Sequence, residues 1–280
     1  MHDNSLQAVA SVQADDVIAR GGRAAEALKT AHAVAADDDY TTHDEQLSVL
    51  LAAEASICGA SRILEVGGSC GSLLTTIAKG FGCHGEAVFT NGGYVKFAQE
   101  ANTHHRNRLN IDFREASVMR LPYESESFTH VVSRDAMHNV PDTRRSHAEI
   151  HRVLKPGGVF AFTEFFQGDG EISESTRRNV YDRLGWNGGY SLDEYRAALE
   201  RAGFEVVLVR SLNGRLARMF KENAQAARDR AEKTGNDAAR TAMLGFAASC
   251  DAVRAAVDNG EFGWASFVTH RADTVAGATA

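Results

Sequence analysis

The sequence predicts an α/β fold: a doubly wound, mostly parallel sheet of seven strands. Short apolar runs alternate with segments of helical spacing along most of the 280 residues, as in strand–helix–strand units. The first clear run, ASRILEVGG, ends in a glycine pair, as a buried parallel strand does before a turn. Capping-box patterns then mark where two of the helices begin. Together these features favour a sheet covered on both faces by helices.

The first half of the chain gives three strands and their helices. Residues 1 to 45 are polar and rich in Ala and Asp, and they predict a helical cover segment. Thr42 with Glu45 fits a capping box for the helix EQLSVLLAAEASI. The elements that follow are strand ASRILEVGG, helix SLLTTIAKGFG, strand GEAVFTNGG, helix YVKFAQEANTHHRN and strand NIDFREAS.

The second half continues the alternation and then adds helices. SFTHVVSRDA is a predicted strand, and TRRSHAEIHRVLKPGG is a predicted helix that Pro156 and the following glycines stop. VFAFTEFFQ is the next strand, SLDEYRAALERAGF a helix opened by Ser191 and Glu194, and EVVLVRSL a strand. Two long helices precede a closing strand, EFGWASFVTHRAD. We therefore expect one domain over 46–280, with a helical insertion at about 212–258.

Composition excludes several classes of function. The net charge of −7 and the pI of about 5.9 disfavour a nucleic-acid partner. Apolar runs stay shorter than the roughly 18 residues of a membrane span, and the N-terminus lacks the pattern of a signal peptide. The four cysteines form no C-x-x-C pair, so we expect neither a metal site nor a disulfide framework. We expect a cytoplasmic protein with a small-molecule partner, and the sequence leaves a monomer and a homodimer open.

The turn after the first strand predicts a ligand that carries an amine. Its pattern is Glu65-x-Gly67-x-Ser69-x-Gly71, with the acid before the first glycine. A dinucleotide site would have G-x-G-x-x-G, and an acid in this place would repel a pyrophosphate. The alternative is a structural turn whose glycines serve packing.

This turn resembles the first motif of the class I S-adenosylmethionine-dependent methyltransferases, with Ser69 in place of the usual middle glycine. Four further segments resemble that family in the same order. Asn91 stands where the family has an acid for the ribose, and Ser117-Val118 stands where it flanks the adenine. VVSRDAMHNVPD and HRVLKPGGVFAFTEFFQ resemble the later motifs. The resemblance implies a Rossmann-like methyltransferase fold with S-adenosyl-L-methionine as cofactor.

Within that family, Ser-Arg-Asp-Ala and FTEFFQ look like the sarcosine and dimethylglycine N-methyltransferase branch and its small-molecule relatives. The resemblance implies methyl transfer to a small molecule, with a nitrogen acceptor preferred over oxygen or carbon, in secondary metabolism. Two alternatives stay open. One is a protein of this fold that binds the cofactor and runs another reaction, such as a cyclisation, and the other is a binding module without catalysis.

Roles can be predicted for individual residues, those of the cofactor site from the resemblance and the others from their chemistry and position. His138 is the predicted general base, since an imidazole titrates near neutral pH. A structural role is the alternative for each of the side chains singled out. The predicted cofactor-binding residues are Glu65, Gly67, Gly68, Gly71, Asn91, Ser117, Val118 and Arg134. The predicted substrate residues are Tyr40, Asp135, Glu164, Gln167 and Trp186.

Overall fold

The structure, a computed structural model, describes residues 43–67, 71–101, 109–186 and 188–272. The predicted site residues Tyr40 and Gly68, and the capping residue Thr42, lie outside the described residues. The chain divides into two compact units. Unit 1 holds the described residues of Met1–Phe162, Leu199–Leu208 and Phe267–Ala280, and unit 2 holds those of Thr163–Ala198 and Val209–Ser266.

The elements follow the predicted alternation. The strands are β1 Arg62–Val66, β2 His84–Phe89, β3 Ile111–Glu115, β4 Phe128–Arg134, β5 Leu154–Gln167, β6 Phe204–Ser211 and β7 Phe262–Arg271. The helices are α1 His43–Glu54, α2 Ser72–Phe81, α3 Gly92–Ala101, α4 Thr143–Val153, α5 Leu192–Arg201, α6 Asn213–Lys233 and α7 Asp237–Asp258. Shorter helical turns lie at Met137–Asn139, Glu174–Thr176, Arg177–Tyr181 and Asp182–Leu184.

The strands form one sheet in the order β3-β2-β1-β4-β5-β7-β6 across the described residues. Strand β1 pairs in parallel with β2 on one side and with β4 on the other, and β2 pairs in parallel with β3. The chain therefore winds outwards from β1 and then returns to its other side at β4. The predicted doubly wound α/β fold is confirmed, and such sheets bind ligands where the winding reverses.

The boundary between α4 and β5 differs from the sequence prediction. The helix ends at Val153, and Leu154 is already extended, with φ −73° and ψ 142°. The predicted helix ran on to Pro156. A residue that precedes proline is held out of the helical region by the proline ring, so Lys155 is extended as well. The capping box that opens α5 is confirmed, since Glu194 accepts from the Ser191 N–H at 2.8 Å and donates its own N–H to Ser191 Oγ at 3.3 Å.

Unit 1 has a core of aliphatic and aromatic side chains on both faces of its strands. Ile63, Leu73 and Ile77 are fully buried in it. Phe160, Phe162 and Phe267 form a stack, with ring centroids 4.4 Å and 4.7 Å apart. Burying an aromatic or aliphatic side chain of this size contributes about 1.5–3 kcal/mol, so these layers hold the strands in place.

Unit 2 has its own smaller packing groups. The paired helices α6 and α7 enclose a core of Ala224, Ala227, Ala247 and Cys250. A second group is aromatic: the Trp186 ring lies 4.7 Å from Tyr181 and 5.4 Å from Phe262, centroid to centroid. The Tyr181 hydroxyl donates to the Glu261 carbonyl at 2.7 Å, which satisfies the polar end of that ring.

His147 on α4 is a buried histidine without polar partners in the described residues. It is 1% exposed, neither ring nitrogen has a hydrogen-bond partner, and the ring lies 6.2 Å from Phe160. Burial lowers the pKa of His147 from 6.5 to about 4, because the charged form loses its hydration. The unfolded chain therefore binds a proton that the folded chain excludes, and stability falls as the pH drops from 6.5 towards 4.

We expect protonation of His147 to lower the free energy of unfolding by about 2 kcal/mol when the pH falls from 7 to 5. Replacing it in His147→Leu should flatten that part of the pH dependence, because the buried imidazole that has to take up a proton is removed. Denaturant unfolding of both chains at pH 5, 6 and 7 measures the difference. His84→Leu, which removes a histidine that is only partly buried, serves as the control. An unchanged slope in His147→Leu would contradict the assignment.

Candidate active site

Four neighbouring strands of unit 1 end in polar residues along one edge of the sheet. Arg134 ends β4, Glu65 lies one residue from the end of β1, Asn91 follows β2, and Glu115 ends β3. Parallel strands lie about 4.8 Å apart, so the three steps from β4 to β3 span about 14 Å. The row carries a cation at one end and two acids and one amide along it, which suits an elongated ligand with several polar groups.

Glu65 is fully buried, and its carboxylate Oε2 accepts from the Leu74 N–H at 2.9 Å. Leu74 belongs to the first turn of α2, whose N-cap residue Gly71 has no side chain to offer. Glu65 therefore takes the place of a capping side chain, and the positive end of the helix favours its charge. The sequence predicted an acid for a ligand amine, and the structure adds this second task.

The two described glycines of the turn are required by close protein packing. Gly67 and Gly71 have φ of +77° and +79°, where other residues are strained. A Cβ on Gly67 would lie 2.7 Å from the Cβ of Ala136, and one on Gly71 would lie 2.3 Å from the Phe113 ring. Packing against Ala136 and Phe113 is thus sufficient to require glycine at both positions. Close contact of this turn with a ligand stays a prediction.

Asn91 and Glu115 bring two side-chain oxygens to the start of α3. The Asn91 Oδ1 accepts from the Gly93 N–H at 2.7 Å. Glu115 pairs in register with Phe89, the last residue of β2, and its Oε2 lies 2.6 Å from where a Cβ on Gly92 would be. Sequence reasoning missed Glu115, although an acid at the end of a neighbouring strand was a visible signal.

The loop with Ser117 and Val118 is a tight turn, and both residues are half-buried. The Ser117 carbonyl accepts from the Arg120 N–H at 2.9 Å, and Ser117 Oγ accepts from the Met119 N–H at 3.2 Å. Helix α4 holds the end of this loop, since Glu149 accepts from the Leu121 N–H at 2.8 Å. The loop therefore follows β3 with a fixed backbone.

Arg134 joins three segments of unit 1. Its guanidinium donates to Ser72 Oγ at the start of α2, and to the Asp44 carbonyl and Ser48 Oγ in α1. The Asp44 carboxylate lies 3.4 Å away as an ion pair. Arg134 thus ends β4 and reaches the start of α2 with protein partners on its nitrogens, and its contact with a cofactor stays a prediction.

The residues after β4 form the last part of this edge. Asp135 is half-buried with φ +49°, an unusual conformation for a residue other than glycine. His138 lies in the helical turn Met137–Asn139, and its Nε2 is 2.9 Å from the amide nitrogen of Asn139. Strain of this kind is common at functional sites. The role of His138 as a base stays a prediction.

Three predicted substrate residues lie in unit 2. Glu164 is fully buried within β5 and accepts from the Phe165 N–H at 2.9 Å. Gln167 ends β5, and its own N–H donates to the Tyr190 carbonyl at 3.1 Å. Trp186 is 5% exposed and packs on Tyr181 and Phe262. These packing contacts account for the position of Trp186. Contact with an acceptor stays a prediction for Glu164, Gln167 and Trp186.

No cluster of three or more His, Cys, Asp and Glu side chains able to hold a metal ion is found in the described ranges. Among the helices of those ranges, none is both long enough and apolar enough to cross a membrane.

A family profile described as "Methyltransferase domain" matches residues 64–162. That stretch begins in β1 and ends in β5, so it contains the whole polar row. Residues 64–162 are a methyltransferase domain. The resemblance seen in the sequence is confirmed for this domain, and the domain lies within unit 1.

Curated relatives of the methyltransferase domain act on different molecules. Phosphoethanolamine N-methyltransferase 2 of Caenorhabditis elegans is 27% identical over 43% of this chain and 28% of its own length. Sterol 24-C-methyltransferase of Kluyveromyces lactis is 30% identical over 56% of this chain and 44% of its own length. Glycine/sarcosine/dimethylglycine N-methyltransferase of Actinopolyspora halophila is 29% identical over 60% and 30%. The chain thus spans less than half the length of these relatives.

Solved structures share the fold over a stretch longer than the methyltransferase domain, about four fifths of this chain. One, from Galdieria sulphuraria, is described as a sarcosine dimethylglycine methyltransferase, with a TM-score of 0.71, 22% identity, and coverage of 81% of this chain and 86% of that one. The [4+2]-cyclase SpnF has a TM-score of 0.62, 20% identity, and coverage of 81% and 80%. Phosphoethanolamine N-methyltransferase 2 of Haemonchus contortus, solved with S-adenosyl-L-methionine, has a TM-score of 0.67, 20% identity, and coverage of 81% and 52%.

Proposed function

We propose that this chain is a methyltransferase that uses S-adenosyl-L-methionine and acts on a small molecule. The observation that carries the proposal is the row of Arg134, Glu65, Asn91 and Glu115 at the ends of adjacent strands. It lies inside the segment that the methyltransferase profile matches. The charges and amides of the row follow the order of groups that such a cofactor presents, from an amino acid to a nucleoside.

The residues present fit this cofactor. Arg134 would hold its carboxylate, Glu65 its amine, and Asn91 with Glu115 the two ribose hydroxyls. Ser117 and Val118 would flank the adenine. The chemistry that the cofactor supplies is an activated methyl group on a sulfonium centre. The chain has to place an acceptor in line with that methyl group and keep water out.

Acceptor residues are proposed from β4 and β5. Asp135 and His138 follow β4 directly, so they border the sulfonium end of the row. His138 would take a proton from an acceptor that has to lose one before attack. Glu164, Gln167, Trp186 and Tyr40 would orient the acceptor. A nitrogen acceptor is proposed, because two of the compared relatives are named N-methyltransferases.

Calorimetric titration followed by a turnover assay tests the proposal. S-adenosylmethionine and S-adenosylhomocysteine should both bind the chain, whereas NADH should not. Release of S-adenosylhomocysteine in the presence of amines, phenols or prenylated acceptors would then identify the class of acceptor. Binding without turnover on any acceptor would favour the alternative of a fold that binds the cofactor and runs another reaction. Absence of binding would overturn the proposal.

We expect Glu115→Gln to weaken S-adenosylhomocysteine binding about tenfold, because a carboxylate accepts two hydroxyl hydrogens where an amide accepts less well. Glu115 ends β3 beside the start of α3 and is exposed, so the fold should tolerate the change. Asp112→Asn is a matched control, since Asp112 is an exposed acid on the same strand. Equal affinities in the two variants would show that Glu115 does not contact the cofactor and only stabilises the N-terminus of α3.

A further inference from the structure

The guanidinium of Arg134 is fully engaged by protein partners at its two terminal nitrogens. Nη1 donates to the Asp44 carbonyl and to Ser48 Oγ, each at 3.3 Å. Nη2 donates to Ser72 Oγ at 3.0 Å and lies 3.4 Å from the Asp44 carboxylate. Each terminal nitrogen carries two hydrogens, and each has two oxygen atoms as partners. A further ligand at these nitrogens must therefore displace one of the four.

The Asp44 carboxylate is the partner that leaves most easily. The Arg134 side chain is 11% exposed, whereas that of Asp44 is 68% exposed. An exposed ion pair contributes little to stability, because water solvates the carboxylate nearly as well as the arginine does. The Asp44 carbonyl and the two hydroxyls are neutral, and they belong to α1 and α2. Among these four partners, Asp44 is also the only anion.

We propose that Asp44 occupies the position of an incoming carboxylate on Arg134 and is exchanged for it when the cofactor binds. The inference rests on the proposed function, since the incoming group is the carboxylate of the cofactor's methionine part. Asp44 lies in the first turn of α1, directly after residues 1–42. The exchange would therefore link cofactor loading to the start of this helix.

A comparison of two ligands with and without a carboxylate tests the exchange. S-adenosylhomocysteine carries the carboxylate, whereas 5′-methylthioadenosine has the same nucleoside and lacks both the carboxylate and the amine. Because removal of the Asp44 charge would not strengthen binding of an amine, a gain limited to S-adenosylhomocysteine reports the carboxylate. Asp44→Asn keeps the shape of the side chain and removes its charge. We expect calorimetry to show S-adenosylhomocysteine binding about two- to fivefold more tightly to Asp44→Asn. The affinity for 5′-methylthioadenosine should not change.

Two further variants serve as controls. Glu124→Gln removes an exposed acid from the loop before β4, about 20 Å along the strand from Arg134, and accounts for the change in net charge. Asp44→Glu keeps the charge and should retain the affinity of the natural chain. Thermal unfolding of each variant checks that the chain remains folded.

Each outcome has a distinct meaning. Unchanged or weaker binding of S-adenosylhomocysteine to Asp44→Asn, with both ligands bound by the natural chain, overturns the exchange and leaves the proposed function standing. An equal gain for both ligands also overturns it, because the effect would not depend on the carboxylate. If the natural chain binds neither ligand, the proposed function fails and the exchange fails with it.

Discussion

Gly71→Ala is expected to lower the free energy of unfolding by about 2–5 kcal/mol and to weaken cofactor binding. The backbone at Gly71 has φ +79°, which costs a residue with a Cβ about 1–2 kcal/mol. The new methyl group would also lie 2.3 Å from the Phe113 ring, and overpacking of this kind costs about 1–3 kcal/mol. Denaturant unfolding and calorimetry with S-adenosylhomocysteine measure the two effects.

Helix α2 provides a matched control at its other end. Gly82 is its C-cap with φ +67°, and a Cβ there would meet nothing within 4 Å. Gly82→Ala should therefore show only the backbone cost, about 1–2 kcal/mol, with unchanged cofactor binding. The losses from Gly71→Ala and Phe113→Ala should add to less than their sum in the double variant, which a double-mutant cycle detects. Equal losses at Gly71 and Gly82 would contradict a role for the contact with Phe113.

The second large effect is expected at Glu65, where two variants separate charge from hydrogen bonding. Glu65→Gln keeps an oxygen for the Leu74 N–H and removes the charge. We expect it to remain folded and to bind S-adenosylmethionine about tenfold to a hundredfold more weakly, as for a lost charge-assisted hydrogen bond. Glu65→Ala should in addition lose about 1–3 kcal/mol of unfolding free energy, because the Leu74 N–H is left without its partner.

The comparison of the two variants decides between the two tasks of Glu65. Unfolding measurements report the capping of α2, and calorimetry reports the amine. If Glu65→Gln bound the cofactor as the natural chain does, the carboxylate would serve α2 alone. The sequence interpretation of the acid as a ligand for an amine would then be wrong.

Local sequence patterns predicted the sheet because each strand of this fold is a short apolar run with its own turn signal. The β1–turn–α2 unit and the capping box at Ser191 illustrate this, since every signal lies within a few residues of its effect. The sequence prediction ended α4 at Pro156, whereas the helix ends at Val153. The proline ring restricts the residue before it, so the helix has to end before Lys155.

The site was predicted less completely, because several of its contacts join residues far apart in the chain. Arg134 was predicted, whereas its partners Asp44 and Ser48 lie 90 and 86 residues away. Glu115 was missed because only the register of β2 and β3 brings it beside Gly92. The resemblance supplied roles for matched positions, and it could not supply a residue that the family pattern does not include.

The hydrogen bonds from α4 to the loop after Ser117 affect the order in which this protein folds. Glu149 and Arg152 hold the backbone of Leu121, and Arg152 also donates to the Tyr123 carbonyl at 2.7 Å. Both side chains lie about 30 residues further along the chain than the loop that they hold. During synthesis the loop therefore leaves the ribosome before its support exists. The part of the site proposed for the adenine is completed only after α4 has docked. We expect its backbone amides to be protected from hydrogen exchange for as long as α4 stays docked.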